Sequence, residues 1–434
     1  MMKDSLKRLI VENQERMPVQ LFPRQVPTLA DTRQIHAVIG LRRVGKTHFL
    51  YQIINELLKK GVAKERILLI NFEDERLADL TAKNLGLVLE AYYELYPTNG
   101  EGEVHLFFDE IQVVEGWERF VARLFEEKRY RIAISGSSSK LLSKELATAL
   151  RGRSIATRIY PLSFREFVTY RGLVVNEKLA YSHDRFAAVK LLDEYLVWGG
   201  FFEVVDARSE EERRRIIQTY LDLVVYKDVV DRYGIKNVAV MKQLIRYFVT
   251  NTTRKASLLR LSKTLAAHVS KNTIHQYTGL LEDCGFLFPV RKFTHSLRGG
   301  NTPSKYYIAD PSFKTVAGLN FSEDRGALFE NAVLLELVRR GDEPFFYEEK
   351  SECDFVVKRD TKIVEAIQVC LDPKGRERER RGLLAAMHTF NLESGTIITA
   401  EQEDEEKVDG KVIRFVPLWR WLLNIQEHGA TPAR

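Results

Sequence analysis

The sequence predicts an α/β chain built on a doubly wound parallel sheet, and three observations in its first third predict it. An apolar strand, Gln34 to Ile39, runs into Gly40-Leu-Arg-Arg-Val-Gly45-Lys46-Thr47, and that loop runs into an amphipathic helix. A second apolar run, Val104 to Phe108, ends in two adjacent carboxylates, Asp109 and Glu110. Around both, strands alternate with helices, the pattern of parallel strands covered on two faces.

The elements follow in order. The helix after the loop is read from Phe49, Leu50, Ile53, Ile54, Leu57 and Leu58 on one face, with Gly61 as its stop. Arg66 to Asp74 reads as a strand and Thr81 to Tyr96 as a helix. Gly116 to Lys128 is a helix, and Ile132 to Ile134 a strand. In such sheets the ligand sits at the carboxyl ends of the strands, where all these motifs fall.

Strand, GxxxxGK[ST] and helix together are the setting of a phosphate-binding loop. Gly40 and Gly45 let the backbone turn its N–H groups inward, and the helix N-terminus adds positive potential. Candidate nucleotide contacts are Gly40, Arg42, Arg43, Val44, Gly45, Lys46, Thr47 and His48. Lys46 is expected to reach the β- and γ-phosphates, and the Thr47 hydroxyl to coordinate Mg²⁺. Asp109 is the second candidate metal ligand, directly or through water, and Glu110 the candidate base that orients the attacking water. The expected ligands are therefore ATP, ADP and Mg²⁺. Ser137 or Ser138 is either a polar sensor of the γ-phosphate or part of a serine-rich turn. Arg151 and Arg153 flank Gly152. Arg153 is a candidate transition-state arginine for its own or a neighbouring subunit, the latter requiring a homo-oligomer; the alternative is a solvated arginine pair.

The segments "GLRRVGKT", "INFEDERL", "LFFDEIQVVEGWE", "ISGSSSKLLSKELATALRGR" and "YPLSFREF", with "EYLVWGGFFEVV" and "YKDVVDRYGIKN" further on, cover nearly the whole chain. They resemble the archaeal and bacterial AAA-like P-loop ATPases that carry a C-terminal domain of unknown function, near the switch-type (STAND-related) ATPases. The resemblance implies ATP-dependent function without naming a substrate. Where that family usually has Pro after the Gly pair this chain has Phe202, a change expected to alter a turn.

Composition bounds the rest. The chain has 434 residues, 45% hydrophobic and 29% charged, enough apolar material for several cores. No apolar run approaches the ~20 residues that span a bilayer, and the N-terminal stretch lacks the apolar core of a secretory signal, so no membrane partner is expected. Three cysteines form neither a metal spacing nor a disulfide framework, which fits a reducing cytoplasm. A net charge of +6 is compatible with nucleic acid.

From about Asn176 to Tyr233 the pattern is helical, with Ser209 and Glu212 read as a capping box. The next stretch reads as helix, turn, helix and β-hairpin, a winged helix-turn-helix. Its second helix, Lys271 to about Asp283, is capped by Ser270. Lys271, Asn272, His275 and Gln276 in its first turns are candidate contacts to double-stranded DNA, with Arg291, Lys292 and Arg298 on the wing near phosphates. The alternative is a protein-docking platform, since fold does not fix function.

In the last quarter, a helix carrying Glu330, a strand carrying Asp354 and a further strand with Gln368 resemble the order of the PD-(D/E)XK nuclease fold. In that fold these positions bind Mg²⁺ and activate water. Here the Glu-x-Lys of the pattern is Gln368-Val369-Cys370. Without that carboxylate and ammonium a pentavalent phosphate is poorly stabilised, so a degenerate domain is expected. Glu365, three residues upstream, should face the other way and not rescue the site. The fold class expected for the whole chain is α/β. An AAA-like P-loop domain (1–172) leads to a helical connector (173–235), a winged helix (236–312) and a restriction-endonuclease-like domain (313–434).

Overall fold

The computed structural model describes residues 2–29, 32–137, 152–264, 269–294, 303–317, 325–371 and 376–425. These form two compact units, residues 1–160 with 283–285, and 161–282 with 286–434. Ser138, Arg151 and Arg298 lie outside the described residues, as does the side chain of Ser137.

The first unit runs α1 (Met2–Glu15), β1 (Ile35–Gly40), α2 (Lys46–Lys59), β2 (Ile67–Asn71), α3 (Gly86–Leu95), β3 (Val104–Asp109), α4 (Trp117–Glu126), β4 (Tyr130–Ser137) and β5 (Ser154–Arg158). The sheet order is β2-β3-β4-β1-β5, with every pairing parallel. Every residue of β1 and of β3 is buried, which is why both read as largely apolar runs, interrupted only by buried His36 and His105 before the acidic end of β3. One core joins Leu6, Leu9 and Ile10 of α1, Leu68 and Ile70 of β2, Leu106 and Phe108 of β3, and Trp117, Phe120, Val121 and Leu124 of α4. The last four repeat at helical spacing. α3 begins at Gly86, later than the periodicity suggests. Thr81 donates its N–H to Asn84 Oδ1 (2.6 Å) and Asn84 donates back to the Thr81 carbonyl (3.0 Å), a closed turn that competes with the helix.

The second unit opens with α5 (Phe164–Tyr170), started by a reciprocal Ser163–Glu166 capping box. Phe164 and Phe167 lie with ring centroids 5.5 and 5.4 Å from Tyr195, on α6 (Asp184–Trp198), so α5 belongs to this unit's core. α7 (Glu210–Leu223) follows and passes into a π-helical stretch, Val224–Val230. Ser209 accepts from Glu212 N, but the Glu212 carboxylate reaches the N–H of Arg208 (2.8 Å) rather than that of Ser209, so the expected box is displaced by one residue.

Next come α8 (Val238–Thr250), β6 (Lys255–Ala256), α9 (Leu258–Thr264), α10 (Lys271–Asp283), β7 (Leu287–Val290) and β8 (Ser304–Ile308). The strands form an antiparallel sheet in the order β6-β8-β7. Ser270 caps α10, its Oγ accepting from Thr273 N (3.1 Å).

The remainder is α11 (Arg325–Arg339), β9 (Glu343–Glu348), β10 (Glu352–Arg359), β11 (Lys362–Val369), α12 (Arg376–Thr389), β12 (Ser394–Thr399), β13 (Asp404–Val408) and β14 (Lys411–Pro417). Its mixed sheet has the order β13-β14-β12-β11-β10-β9. Fully buried Asn331 of α11 clips this region to β8: its Oδ1 accepts from Ile308 N (3.0 Å) and its Nδ2 donates to the Ile308 carbonyl (3.1 Å). Among the described residues no helix is long and apolar enough to cross a membrane.

Candidate functional site

The loop between β1 and α2 sits at the carboxyl end of the parallel sheet. Gly40 is required by close approach: a Cβ there would lie 2.3 Å from the Ile159 carbonyl oxygen. Gly45 precedes α2 in the left-handed region (φ 91°), which frees the first N–H groups of the helix to point into the loop. Val44 is buried and Arg43 and His48 are exposed; Arg42 pairs with Glu73 at 3.1 Å. Buried Arg24 braces the loop from behind, donating to the carbonyls of Val44 (2.9 Å) and Tyr160 (2.8 Å).

Strand register brings the acidic pair to this loop. Phe108 pairs with Ile134, so the next position sets Asp109 beside Ser135. Asp109, with no exposed surface, accepts from Thr47 Oγ1 at 2.8 Å and from Ser135 Oγ. Ser135 Oγ also accepts from Glu110 N (3.1 Å). Glu110 turns back in the left-handed region (φ 51°), and its Oε1 lies 3.2 Å from Lys46 Nζ. Lys46 also donates to the Leu41 carbonyl (3.3 Å), and the Gln112 amide donates to Glu110 Oε2.

Burial raises the pKa of Asp109, with the neighbouring Glu110 carboxylate adding to it and the Ser135 and Thr47 hydroxyls opposing. Burial also pushes Glu110 up, but the Lys46 ammonium and the Gln112 amide outweigh it and hold the carboxyl below its ordinary value. The arrangement keeps one ionised carboxylate beside an ammonium and a second carboxylate beside a hydroxyl. Hard oxygens of that kind suit Mg²⁺, which takes one or two protein ligands and fills its shell with water and substrate phosphates.

Arg153 stands apart from the loop of its own chain. It lies just before β5, and its carbonyl accepts from Ile35 N (2.9 Å) at the start of β1, so it stands at the sheet edge opposite the loop. Its guanidinium pairs with Glu126 (2.5 Å) and covers the Phe125 ring. The length of β1, about 17 Å at ~3.3 Å per residue, separates it from the loop of its own chain.

Lys271, Asn272, His275 and Gln276 are all exposed on α10. Arg291 is exposed, whereas Lys292 is partly buried and bridges to Phe346 of β9, so this part of the expected wing is stitched to the mixed sheet. The structure also gathers Glu330, Asp354 and Gln368. Gln368 Nε2 donates to Asp354 Oδ2 (2.8 Å), and its Oε1 accepts from Asp354 N (3.0 Å). Glu330 joins them through Lys305. Glu365 instead lies 4.0 Å from Arg359. Sequence reading missed Arg24, Ser135, Gln112, Lys305 and Glu352. Ser135 carried a usable signal, a polar residue inside an apolar buried strand, and the others carried none.

The chain matches an AAA domain over residues 32–168, a domain of unknown function (DUF8612) over 189–324 and another (DUF4143) over 325–421. It is 34% identical to the uncharacterized protein MJ1544 of Methanocaldococcus jannaschii, over 96% of this chain and 95% of that protein. It is 30% identical to an uncharacterized protein of Haemophilus influenzae, over 92% and 97%. Similar solved structures include the Aeropyrum pernix ORC1 protein in complex with DNA, at 14% identity and TM-score 0.27, over 78% of this chain and 94% of that one. AMPPCP-bound DnaA from Aquifex aeolicus matches at 17% identity and TM-score 0.25, over 63% and 86%. The chain therefore belongs to the same family as MJ1544, and its residues 32–168 are an AAA-type nucleotide-binding ATPase domain.

Proposed function

We propose that the protein is an ATP-hydrolysing switch whose nucleotide state controls its C-terminal region, acting on or with double-stranded DNA. One observation carries the catalytic part: Thr47, Asp109, Ser135, Glu110 and Lys46 form one continuous chain of hydrogen bonds and ion pairing at the carboxyl end of the sheet. In this reading the loop N–H groups and Lys46 hold the triphosphate, and Thr47 and Asp109 hold Mg²⁺. The bound ion neutralises phosphate charge. Phosphate oxygens compete with Glu110 for the Lys46 ammonium, which releases the carboxylate to take a proton from water. The water oxygen bonds to the γ-phosphorus as the bond to the ADP oxygen breaks. Ser135 is a positioning residue that fixes Asp109 and the turn at Glu110.

Two features support the DNA part. The order α8, β6, α9, α10, β7, β8 is that of a winged helix, and Lys271, Asn272, His275 and Gln276 of α10 are exposed together. The test is ATP turnover measured with and without duplex DNA, beside a salt titration of binding. Turnover lost in Lys46→Ala and stimulated by DNA supports the reading, as does an affinity that falls steeply with salt. Turnover without any DNA binding at low salt leaves the second reading, a nucleotide-controlled protein-interaction or assembly module. A nuclease role is disfavoured by Gln368 and Cys370 standing where the resemblance expects a carboxylate and an ammonium.

A further inference from the structure

The helix glutamate and strand aspartate of the C-terminal region, Glu330 and Asp354, meet at one point in space, and that point is filled. Lys305 Nζ lies 3.1 Å from Glu330 Oε1, 2.7 Å from Glu352 Oε1 and 2.9 Å from Asp354 Oδ1. An ammonium carries three N–H donors, so each meets one carboxylate. Lys305 stands on β8 between Ser304 and buried Tyr306, and is 4% exposed.

We propose that Lys305 is the resident cation of this acidic nest, its ammonium standing where a divalent metal would sit, so that the region is metal-independent by construction. The residues do not fit a metal as they stand. Mg²⁺ demands near-octahedral oxygens at about 2.0–2.1 Å and resists dehydration. Here the inward oxygens are already taken. Glu330 Oε1 also accepts from the Tyr307 hydroxyl (2.7 Å). Asp354 Oδ2 accepts from Gln368 Nε2 (2.8 Å) and Val369 N (3.1 Å). Glu352 Oε2 accepts from Lys255 Nζ (2.7 Å). A metal ion entering would also meet a fixed positive charge. Among the described residues no group of three or more His, Cys, Asp or Glu is arranged to hold a metal.

The charge balance explains Gln368. Glu330, Glu352 and Asp354, with Glu379 accepting from Gln368, outnumber the ammoniums of Lys305 and Lys255, so the site already leans negative and a glutamate at 368 would add to it. The excess shows in Glu330, which burial and the Asp354 carboxylate push up to about 7, against the pull of Lys305. Lys305 itself is held well above its ordinary pKa, burial being outweighed by Asp354 and Glu330. Exclusion comes from the ammonium and not from inaccessibility, because the nest opens onto a cleft of about 380 Å³ bordered by Thr253, Arg254 and Arg378. Lys305 falls in the stretch matched by DUF8612, and its three partners in that matched by DUF4143. One side chain therefore joins two segments that family comparison separates. The proposal stands independently of the ATPase reading.

The test is Mn²⁺ uptake by nucleotide-free full chain, measured by calorimetry on the parent, Asp354→Asn, Lys305→Ala and the double variant, with circular dichroism as the check on folding. Glu330→Gln takes the place of Asp354→Asn should the latter not fold. Expected are equal uptake by the parent and Asp354→Asn, and one additional Mn²⁺ in Lys305→Ala that the double variant lacks. The proposal is overturned if the parent binds one Mn²⁺ more than Asp354→Asn, or if folded Lys305→Ala gains none. It is also overturned if the parent cleaves plasmid with Mn²⁺ and Asp354→Ala abolishes cleavage. Where Lys305→Ala does not fold, the comparison of parent with Asp354→Asn decides alone.

Discussion

Two lysines of this protein are buried to nearly the same degree, Lys46 at 5% exposure and Lys305 at 4%, and both face carboxylates. Their surroundings differ. Lys46 has one carboxylate at 3.2 Å and one backbone carbonyl at 3.3 Å, directly after Gly45 turns the loop into α2 through the left-handed region. Lys305 has three carboxylates between 2.7 and 3.1 Å and a second layer of donors holding those in turn. The first ammonium can be shared with an incoming anion at the loss of one ion pair. The second cannot move without leaving several buried anions uncompensated. What separates an exchangeable cation from a permanent one is the number of anions committed to it and whether those anions have other donors, not burial.

The comparison breaks most directly on activity. Lys46→Ala and Glu110→Gln should each slow ATP hydrolysis by at least ~100-fold, the range for removing an electrostatic stabiliser or a general base. Both should leave urea unfolding of the second unit unchanged. Parent-rate hydrolysis by Glu110→Gln would remove it as the base. Next in size, Lys305→Ala should destabilise the second unit by about 3–5 kcal/mol, the effect of leaving buried charge unpaired. A denaturation midpoint equal to the parent's would show that the nest is not held by its ammonium. Ser135→Ala sharpens the nucleotide half. Loss of an outer hydrogen bond to a metal ligand commonly lowers metal affinity or activity ~10–100-fold. The Mg²⁺ concentration for half-maximal turnover should rise accordingly, with turnover recovering in excess Mg²⁺. Unchanged Mg²⁺ dependence would make Ser135 a purely structural residue.

The two sites were not equally legible. The loop and acidic strand end could be read because their chemistry is written locally: Gly40 to Thr47 is contiguous, and Asp109-Glu110 follows a short, largely apolar run that reads as a buried strand. Ser135 stood out locally as a polar residue inside an apolar strand, but its partners depend on the register of β4 against β3, which no local pattern fixes. Glu330, Asp354 and Gln368 were named in sequence and do come together, yet Lys305 was missed. It reaches them from β8, part of a different sheet, and "SKYYIAD" reads as any half-buried strand with an exposed lysine. The place of Arg153 was not legible for a related reason: a motif shows that arginines flank a glycine, not at which end of the sheet the next strand begins. α3 was overextended because helical periodicity continues through a turn that Thr81 and Asn84 close on their own.

Asp310, just past β8, offers a third arrangement, a buried carboxylate met by hydrogen-bond donors instead of an ammonium. Its oxygens accept from Gly200 N (2.8 Å) and Ser312 N (3.0 Å). Burial raises it to about 6, against those donors and the more distant Arg339. Its unfolded value is ~3.9, so the folded protein binds the extra proton between about pH 4 and 6. Stability from this group is therefore complete below pH ~4 and is lost as pH rises through 6. Asp310→Asn removes that dependence and also forfeits one accepted hydrogen bond. The variant should be the less stable at pH 4, and its deficit against the parent should shrink by about 2 kcal/mol by pH 7, read from urea midpoints. Effects of net charge common to both proteins cancel in that difference. A deficit that stays constant across the range would mean that backbone donors alone hold Asp310 ionised, and that an ammonium is not what a buried carboxylate in this unit needs.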